Sequence, residues 1–378
     1  MARILGIVAE YNPFHNGHIY QLQQAQARSD AELTIAVMSG NWVQRGEPSL
    51  LDKWQRTRLA LSAGIDLVVE LPFQFAVQPA HLFARGAVQL LAQLGCTELA
   101  FGAEHPGLDF DRLVANQPTH AAEHFKQFDE TYPTLFNDYL QAQTGIDLRS
   151  SNDILGFSYV AANRELKRPM TILPIQRRGN AHRSTDFDVD DTIVSGAAIR
   201  QAVQAGDSQL IKRIVPPITA TALQEYQHIN WENYWPFLRY QVLTQSISQL
   251  QHIYQMSEGI EYRLKQAALT SKSFKDFIRA AKTKRYTYAR LQRLCVYILL
   301  QVSNVELPTR LRYGRVLGFN SEGQQLLNVL KKRVALPLIS RVTDDWVSGP
   351  YRLDYQAGVL RQMLSGVDQD RLRHPVIF

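Results

Sequence analysis

The stretch that most limits what this chain can fold into is Ile4–Arg28, ILGIVAEYNPFHNGHIYQLQQAQAR. The apolar run Ile4–Ala9 has the length and composition of a strand buried on both faces. A turn follows, Glu10-Tyr11-Asn12-Pro13-Phe14, and then His15-Asn16-Gly17-His18. From Gly17 the apolar spacing turns helical, with Ile19, Leu22 and Ala25 on one face of a Gln-rich segment. A strand, a tight turn and a helix start aim free backbone N–H groups and a positive dipole end at the turn, which makes an anion site. Two imidazoles stand at that mouth, and Gly17 leaves room for a ligand to approach the backbone. His-x-Gly-His alone arises by chance; its place between strand and helix gives it weight. Charge that builds on phosphate oxygens in a transition state is stabilised by such fixed donors.

The rest of the first half repeats the alternation. Leu33–Met38 reads as a second strand with Ser39-Gly40 at its end, and Asp52 caps a helix over Lys53–Ser62 that Gly64 stops. Asp66–Leu71 is a third strand, Glu98–Phe101 a fourth closing on Gly102, and Met170–Ile175 a fifth. Short apolar strands alternating with helices predict an α/β doubly wound parallel sheet, with ligands beyond the carboxyl ends of its strands. Phe110–Gln143 reads as helical with an aromatic face (Phe125, Phe128, Tyr132, Phe136, Tyr139) that belongs to the core. Ser151 caps a helix that carries Asn152 in its first turn. The Asp-rich loop Asn180–Ile193 has the composition of a mobile lid. Ser195 is a natural N-cap, with Arg200 one turn into the helix that follows.

Pro216-Pro217 marks the expected boundary between the α/β domain that carries the strand–turn–helix site, 1–215, and a mainly helical domain, 216–378, that ends in a small subdomain begun by Leu317–Lys332. Charge divides the same way. Through Gly206 the chain has 17 Lys+Arg against 22 Asp+Glu, and the remainder has 24 against 13, so the second half suits a polyanion. A solvated basic helical surface is the plainer alternative. Within the peak, Lys282, Lys284, Arg285, Arg290 and Arg293 interleave with Tyr286 and Tyr288; cations neutralise phosphates while tyrosines stack unpaired bases. Arg290 and Arg293 also fit cations snorkelling from a helix surface. Two cysteines in unrelated apolar contexts exclude a disulfide framework, and with no eighteen-residue apolar run or secretory signal the chain reads as cytoplasmic with no membrane partner.

His15-Asn16-Gly17-His18 resembles the HxGH signature of the nucleotidyltransferase superfamily, and Ser195–Arg200 resembles its second signature, which holds the β- and γ-phosphates of ATP. The longer runs EYNPFHNGH, MSGNWVQRGEP, DLVVELP, FGAEH, SND, SGAAIR and KRYTYARLQR are similar to the bacterial tRNA(Met) cytidine acetate ligase family along nearly the whole chain. That resemblance implies activation of acetate by ATP to acetyl-adenylate, then acetyl transfer to N4 of the wobble cytidine of elongator tRNA(Met), giving N4-acetylcytidine. It implies ATP contacts over Ile7, Val8, Ala9, Glu10, Tyr11, Asn12, Pro13, Phe14, His15, Asn16, Gly17, His18, Ile19 and Tyr20, with Gly102, Asn152 and Arg177 beyond. Adjacent Arg178 leaves open which arginine meets the nucleotide. His15 and His18 would stabilise the phosphates, and Mg2+ is expected with the ATP, although no acidic cluster declares a protein metal site. Tyr11, Phe14 and Ser39-Gly40 are the expected walls of the acetate pocket, and no base for the second step declares itself. A small-molecule adenylyltransferase and a non-enzymatic RNA-binding protein remain as alternatives.

Overall fold

The run Ile4–Ala9 forms strand β1 in full in the computed structural model of the chain, which describes residues 3–118, 132–178, 192–303, 307 and 309–378. With β2 (Leu33–Ser39), β3 (Leu67–Leu71), β4 (Glu98–Ala103) and β5 (Thr171–Gln176) it makes a parallel sheet in the order β5-β4-β1-β2-β3. The order reverses at β1, whose neighbours are β2 and β4, so a crevice opens there beyond the carboxyl ends. Alternation of side chains divides each strand between two cores. Ile4, Ile35, Val37, Val69 and Leu99 face the helices Ala80–Gln93 and Ser151–Arg164. Leu5, Ile7, Met38, Val68 and Ala100 face the helices Asn16–Arg28, Lys53–Ser62 and Gly196–Ala205. Helices on both faces of a mostly parallel sheet are the doubly wound class the sequence predicts.

Local caps form largely where the residues place them. Asp52 accepts from Gln55 N at 2.8 Å and Ser195 from Ala198 N at 3.2 Å. One cap differs. Ser151 lies inside its helix, Ser150 is the N-cap without a side-chain bond, and the carboxylate of Glu104 accepts from the backbone N–H groups of Asn152 and Asp153 at 3.1 and 3.2 Å. A carboxylate from another element does there what a neighbouring serine was expected to do. Of the aromatic face expected before it, Phe136 packs edge-on against Phe157 at 5.6 Å, while Phe125 and Phe128 lie outside the described residues.

The carboxy-terminal segment departs from the expected division of the chain. Helices over residues 217–299 supply most of a further core, including Trp235, Phe277 and Leu294, which Trp42, Phe73 and Val77 of the first half also join. The chain then returns to the sheet: β6 (Gly314–Phe319) pairs antiparallel with β3, and β7 (Leu338–Ile339) and β8 (Val376–Ile377) pair with β6. Residues 314–378 therefore extend the parallel sheet and do not form a separate small subdomain. The reason is electrostatic as well as apolar. Lys53, fully buried, lies 3.0 Å from both oxygens of Glu70, 3.0 Å from the Tyr351 hydroxyl and 2.7 Å from Asp370. Arg315 donates to the carbonyls of Asp370 and Arg373 at 3.3 and 3.1 Å. Asp354 accepts from Phe73 N at 3.0 Å and is pushed up to about 8, by burial first and then by the charge of Glu70. Cys96 and Cys295 are buried in different cores. Among the described residues no helix is long and apolar enough to cross a membrane.

Candidate active site

The turn after β1 is built by local hydrogen bonds. Tyr11 has φ +49°, the Asn12–Pro13 peptide is cis, and Asn12 Oδ1 accepts from Leu50 N at 2.8 Å, which ties the turn to the segment after β2. His15 is the N-cap of the helix Asn16–Arg28, and its Nδ1 accepts from Gly17 N at 3.1 Å. His18 Nδ1 accepts in turn from His15 N at 3.2 Å, so the two imidazoles make a capping box of their own. Their rings stack with centroids 3.7 Å apart, and Tyr11 and Phe14 back the His18 ring at 5.0 and 5.7 Å.

This arrangement sets the protonation of the pair. An Nδ1 that accepts a backbone N–H carries no proton, so each neutral ring holds its proton on Nε2. Burial, and after it the positive charge that a protonated His15 or Arg177 sets beside the ring, keeps the His18 pKa well below 6.5. His18 is therefore a neutral ring at physiological pH, with Nε2 as its donor. Gly17 has a more immediate role than the one the sequence suggests: a Cβ there would stand 2.9 Å from His15 Cε1 and break the stack.

Around the imidazoles a cleft is closed by Gly102 and Ile175, Arg177 and Arg178, and Val194 and Ser195. Gly102 lies within β4, paired with Ile175, and not beyond its end. Arg177 sits inside beside His18, with its pKa lowered by burial. Arg178 is exposed and rides on the Tyr20 ring at 4.7 Å. Both arginines border the cleft on different walls. Asn16 reaches across to the carbonyls of Thr192 and Arg213 at 2.9 and 3.1 Å. Residues 179–191, most of the expected lid, lie outside the described residues.

Other expected contacts stand back from the cleft. Asn152 is turned to Glu104, its Nδ2 donating at 2.6 Å. Arg200 donates to the Asn12 carbonyl at 2.8 Å and pairs with Glu47 at 2.7 Å, so a carboxylate occupies the guanidinium. Ile7 and Ala9 are buried core residues, and Val8 and Ile19 are partly buried against a core. Ser39-Gly40 does not border the cleft: their carbonyls, with that of Glu10, accept from Arg56. The sequence singled out neither Glu104 nor Glu47. Each lies inside a distinctive run (FGAEH and MSGNWVQRGEP), but its partner comes from another element.

On the basic half, Lys284 is exposed, Tyr288 is 50% exposed with Lys282 5.7 Å over its ring, and Arg285 pairs with Glu258 at 3.6 Å. Two expected surface residues are interior. Tyr286 is 3% exposed, its hydroxyl donating to the Ser257 carbonyl at 2.5 Å, and Arg290 covers its ring at 4.1 Å. Arg293 is 7% exposed, beneath the turn at Gly46. Part of the basic excess is structural. Lys265 donates to the carbonyls of Val242 and Leu243, both at 3.0 Å, and Arg263 to those of Ala280 and Ala281 at 2.8 and 3.0 Å, neutralising helix carboxyl ends.

The same layout recurs in known proteins. The HIGH Nucleotidyl Transferase family model matches residues 2–373. The chain is 50% identical over 371 residues to the tRNA(Met) cytidine acetate ligase of Levilactobacillus brevis, covering 98% of this chain and 97% of that protein. It is 47% identical over 373 residues to the enzyme of that name from Lactiplantibacillus plantarum, with 98% and 97% covered. The crystal structure of Thermotoga maritima TmcAL bound with alpha-thio ATP superposes with a TM-score of 0.87 at 29% identity, over 100% of this chain and 99% of that one. Its apo form gives 0.89 at the same identity and coverage. With both signatures in place on a sheet of matching layout, the chain belongs to the HIGH nucleotidyl transferases and, among them, to the tRNA(Met) cytidine acetate ligase family.

Proposed function

We propose that this protein activates acetate with ATP as acetyl-adenylate and transfers the acetyl group to N4 of the wobble cytidine of elongator tRNA(Met), in the cytoplasm. The observation that carries the reading is the pair of stacked imidazoles at a helix start, both lining a cleft that Arg177 also walls. An acetate oxygen attacks the α-phosphorus, a P–O bond forms, the P–O bond to pyrophosphate breaks, and the leaving group departs with that electron pair. The carboxylate is its own nucleophile, so the protein's part is to hold the phosphates and to stabilise developing charge. Phosphates entering the cleft offer Arg200 an alternative to Glu47. Mg2+ enters as part of the ATP substrate. Among the described residues no three His, Cys, Asp or Glu side chains stand close enough to hold a metal, so its ligands would be phosphate and water oxygens.

Pyrophosphate exchange into ATP with a series of acids tests the first step. Acetate supports exchange. Formate is slower, by the about 1–3 kcal/mol that one methyl contributes, and propionate and butyrate are rejected further because a close-packed pocket resists added carbon. Equal rates for butyrate and acetate would mean another acid is the substrate.

The basic face carries the second substrate. Replacing Lys284, Arg285 and Arg290 with alanine weakens tRNA binding and lowers its salt slope by up to about one unit for each phosphate no longer neutralised. Acetyl-adenylate formation persists, because none of the three borders the cleft. An unchanged binding curve across salt concentrations would leave this face as mere surface.

A further inference from the structure

The second step must remove a proton from the cytidine amine, and the imidazoles at the cleft do not supply an acceptor. Each has Nδ1 occupied by a backbone N–H and the proton on Nε2. The neighbouring carboxylates are also engaged: Glu104 with Asn152 and Asp153, Asp153 with His105, and Glu47 with Arg200. Glu10 differs. It follows β1 directly and so stands at the crevice where the strand order reverses. One of its oxygens accepts from Gln44 N at 2.8 Å, and the other has no hydrogen-bond partner among the described residues. The residue as a whole is partly exposed, at the carboxyl end of the central strand.

A second observation places Glu10 toward the RNA side. The turn Gln44–Glu47 that caps it presses on the helix Tyr288–Leu299. Gly46, at φ +76°, has no room for a Cβ, which would stand 2.5 Å from Arg293 N, and its carbonyl accepts from Trp231 Nε1 at 3.0 Å. The helix carrying Tyr288 and Arg290 on its first turn is thus separated from Glu10 by that one turn of chain.

We propose that Glu10 receives the cytidine: its free carboxylate oxygen accepts from the N4 amine and takes the N4 proton as the acetyl group transfers. The inference rests on the ligase reading above. The N4 lone pair attacks the carbonyl carbon of acetyl-adenylate, an N–C bond forms, the C–O bond to the phosphate breaks, and AMP leaves with that pair. The N4 proton passes to Glu10. The exocyclic amine of cytosine is a weak nucleophile because its lone pair is delocalised into the ring, so a placed acceptor matters, and general base assistance contributes about 10²–10⁴-fold. A carboxylate accepting from cytosine N4 is also a base-specific contact. The groups facing Glu10 are Arg45 and Glu47 of the turn, Arg200 of the helix Gly196–Ala205, Arg56 of the helix Lys53–Ser62 and Tyr159 of the helix Ser151–Arg164. Burial outweighs the cations and raises the Glu10 pKa above 4.5, which moves proton acceptance toward neutral pH.

The test compares the two steps in the full-length protein: acetate-dependent pyrophosphate exchange, and single-turnover transfer from enzyme-bound acetyl-adenylate to a tRNA(Met) transcript. Glu10→Gln keeps an acceptor for Gln44 N but cannot take a proton. It slows transfer about a hundredfold more than it slows exchange, and it removes the acid limb from the transfer pH profile; Glu10→Asp, slower than the parent, keeps that limb. Transfer within threefold of the parent, or transfer and exchange falling together with the limb intact, overturns the role of Glu10. Absence of acetate-dependent exchange in the unaltered protein overturns the ligase reading itself.

Discussion

His18→Asn and His18→Ala both lose acetate-dependent pyrophosphate exchange by a hundredfold or more, while His18→Gln recovers part of it. The three variants separate what the ring does for the helix from what it does for the phosphate. His18 Nδ1 accepts from His15 N, and asparagine can place an oxygen near that position. His18→Asn therefore preserves the capping box but has nothing at the Nε2 position. Glutamine places an amide near Nε2 and offers a donor to the same phosphate oxygen. Alanine loses both, together with the stack on His15 and the packing on Tyr11 and Phe14. Loss of one fixed donor in an enclosed site costs about 3 kcal/mol in the transition state. tRNA binding is retained in all three, because the basic face lies on other elements. Exchange kept at the parental rate in His18→Asn would place the chemistry elsewhere. Protonation of His18 acts on stability as well. Because the pKa of His18 is lowered in the fold, the stability this brings is present above the unfolded value of 6.5 and is lost as pH falls below it. Circular dichroism melts between pH 7.5 and 5 measure that loss, and His18→Asn reduces it.

Lys53→Ala destabilises the protein by about 3–5 kcal/mol, the scale for removing one partner from a buried ion network. Lys53 is the cation shared by Glu70 of β3 and Asp370 near the carboxyl terminus, and both carboxylates are buried. Without it two anions and the Tyr351 hydroxyl face one another in a region that water does not reach. The damage is directional: Asp370 and Tyr351 belong to the segment that returns to the sheet, so residues 314–378 loosen first. Denaturant melts give the magnitude, and limited proteolysis locates cleavage within 314–378. Lys53→Met fills the space but not the charge and falls nearly as far. A melt within about 1 kcal/mol of the parent would show that the network contributes nothing to holding the carboxy-terminal segment.

The capping contacts of the cleft were legible in the residues, and the basic half was legible only in part. The His15/His18 capping box, the Asp52 cap and the Ser195 cap depend on groups within four positions of one another, so hydrogen-bond reach along the chain decides them, and the sequence carries them without help. Strand alternation likewise follows from a run of apolar residues that must be covered on both faces. Tertiary structure decided whatever depends on a partner far along the chain. Glu104 replaced the expected serine cap because β4 ends beside the start of the helix Ser151–Arg164. Tyr286 and Arg293 went inside because Ser257 and the Gly46 turn lie over them, although their spacing matches that of the exposed cations beside them. The return of β6 to β3 joins Phe319 to Leu67, and no periodicity encodes a pairing across that separation. It is settled by which apolar faces and buried charges remain uncovered once the local elements have formed.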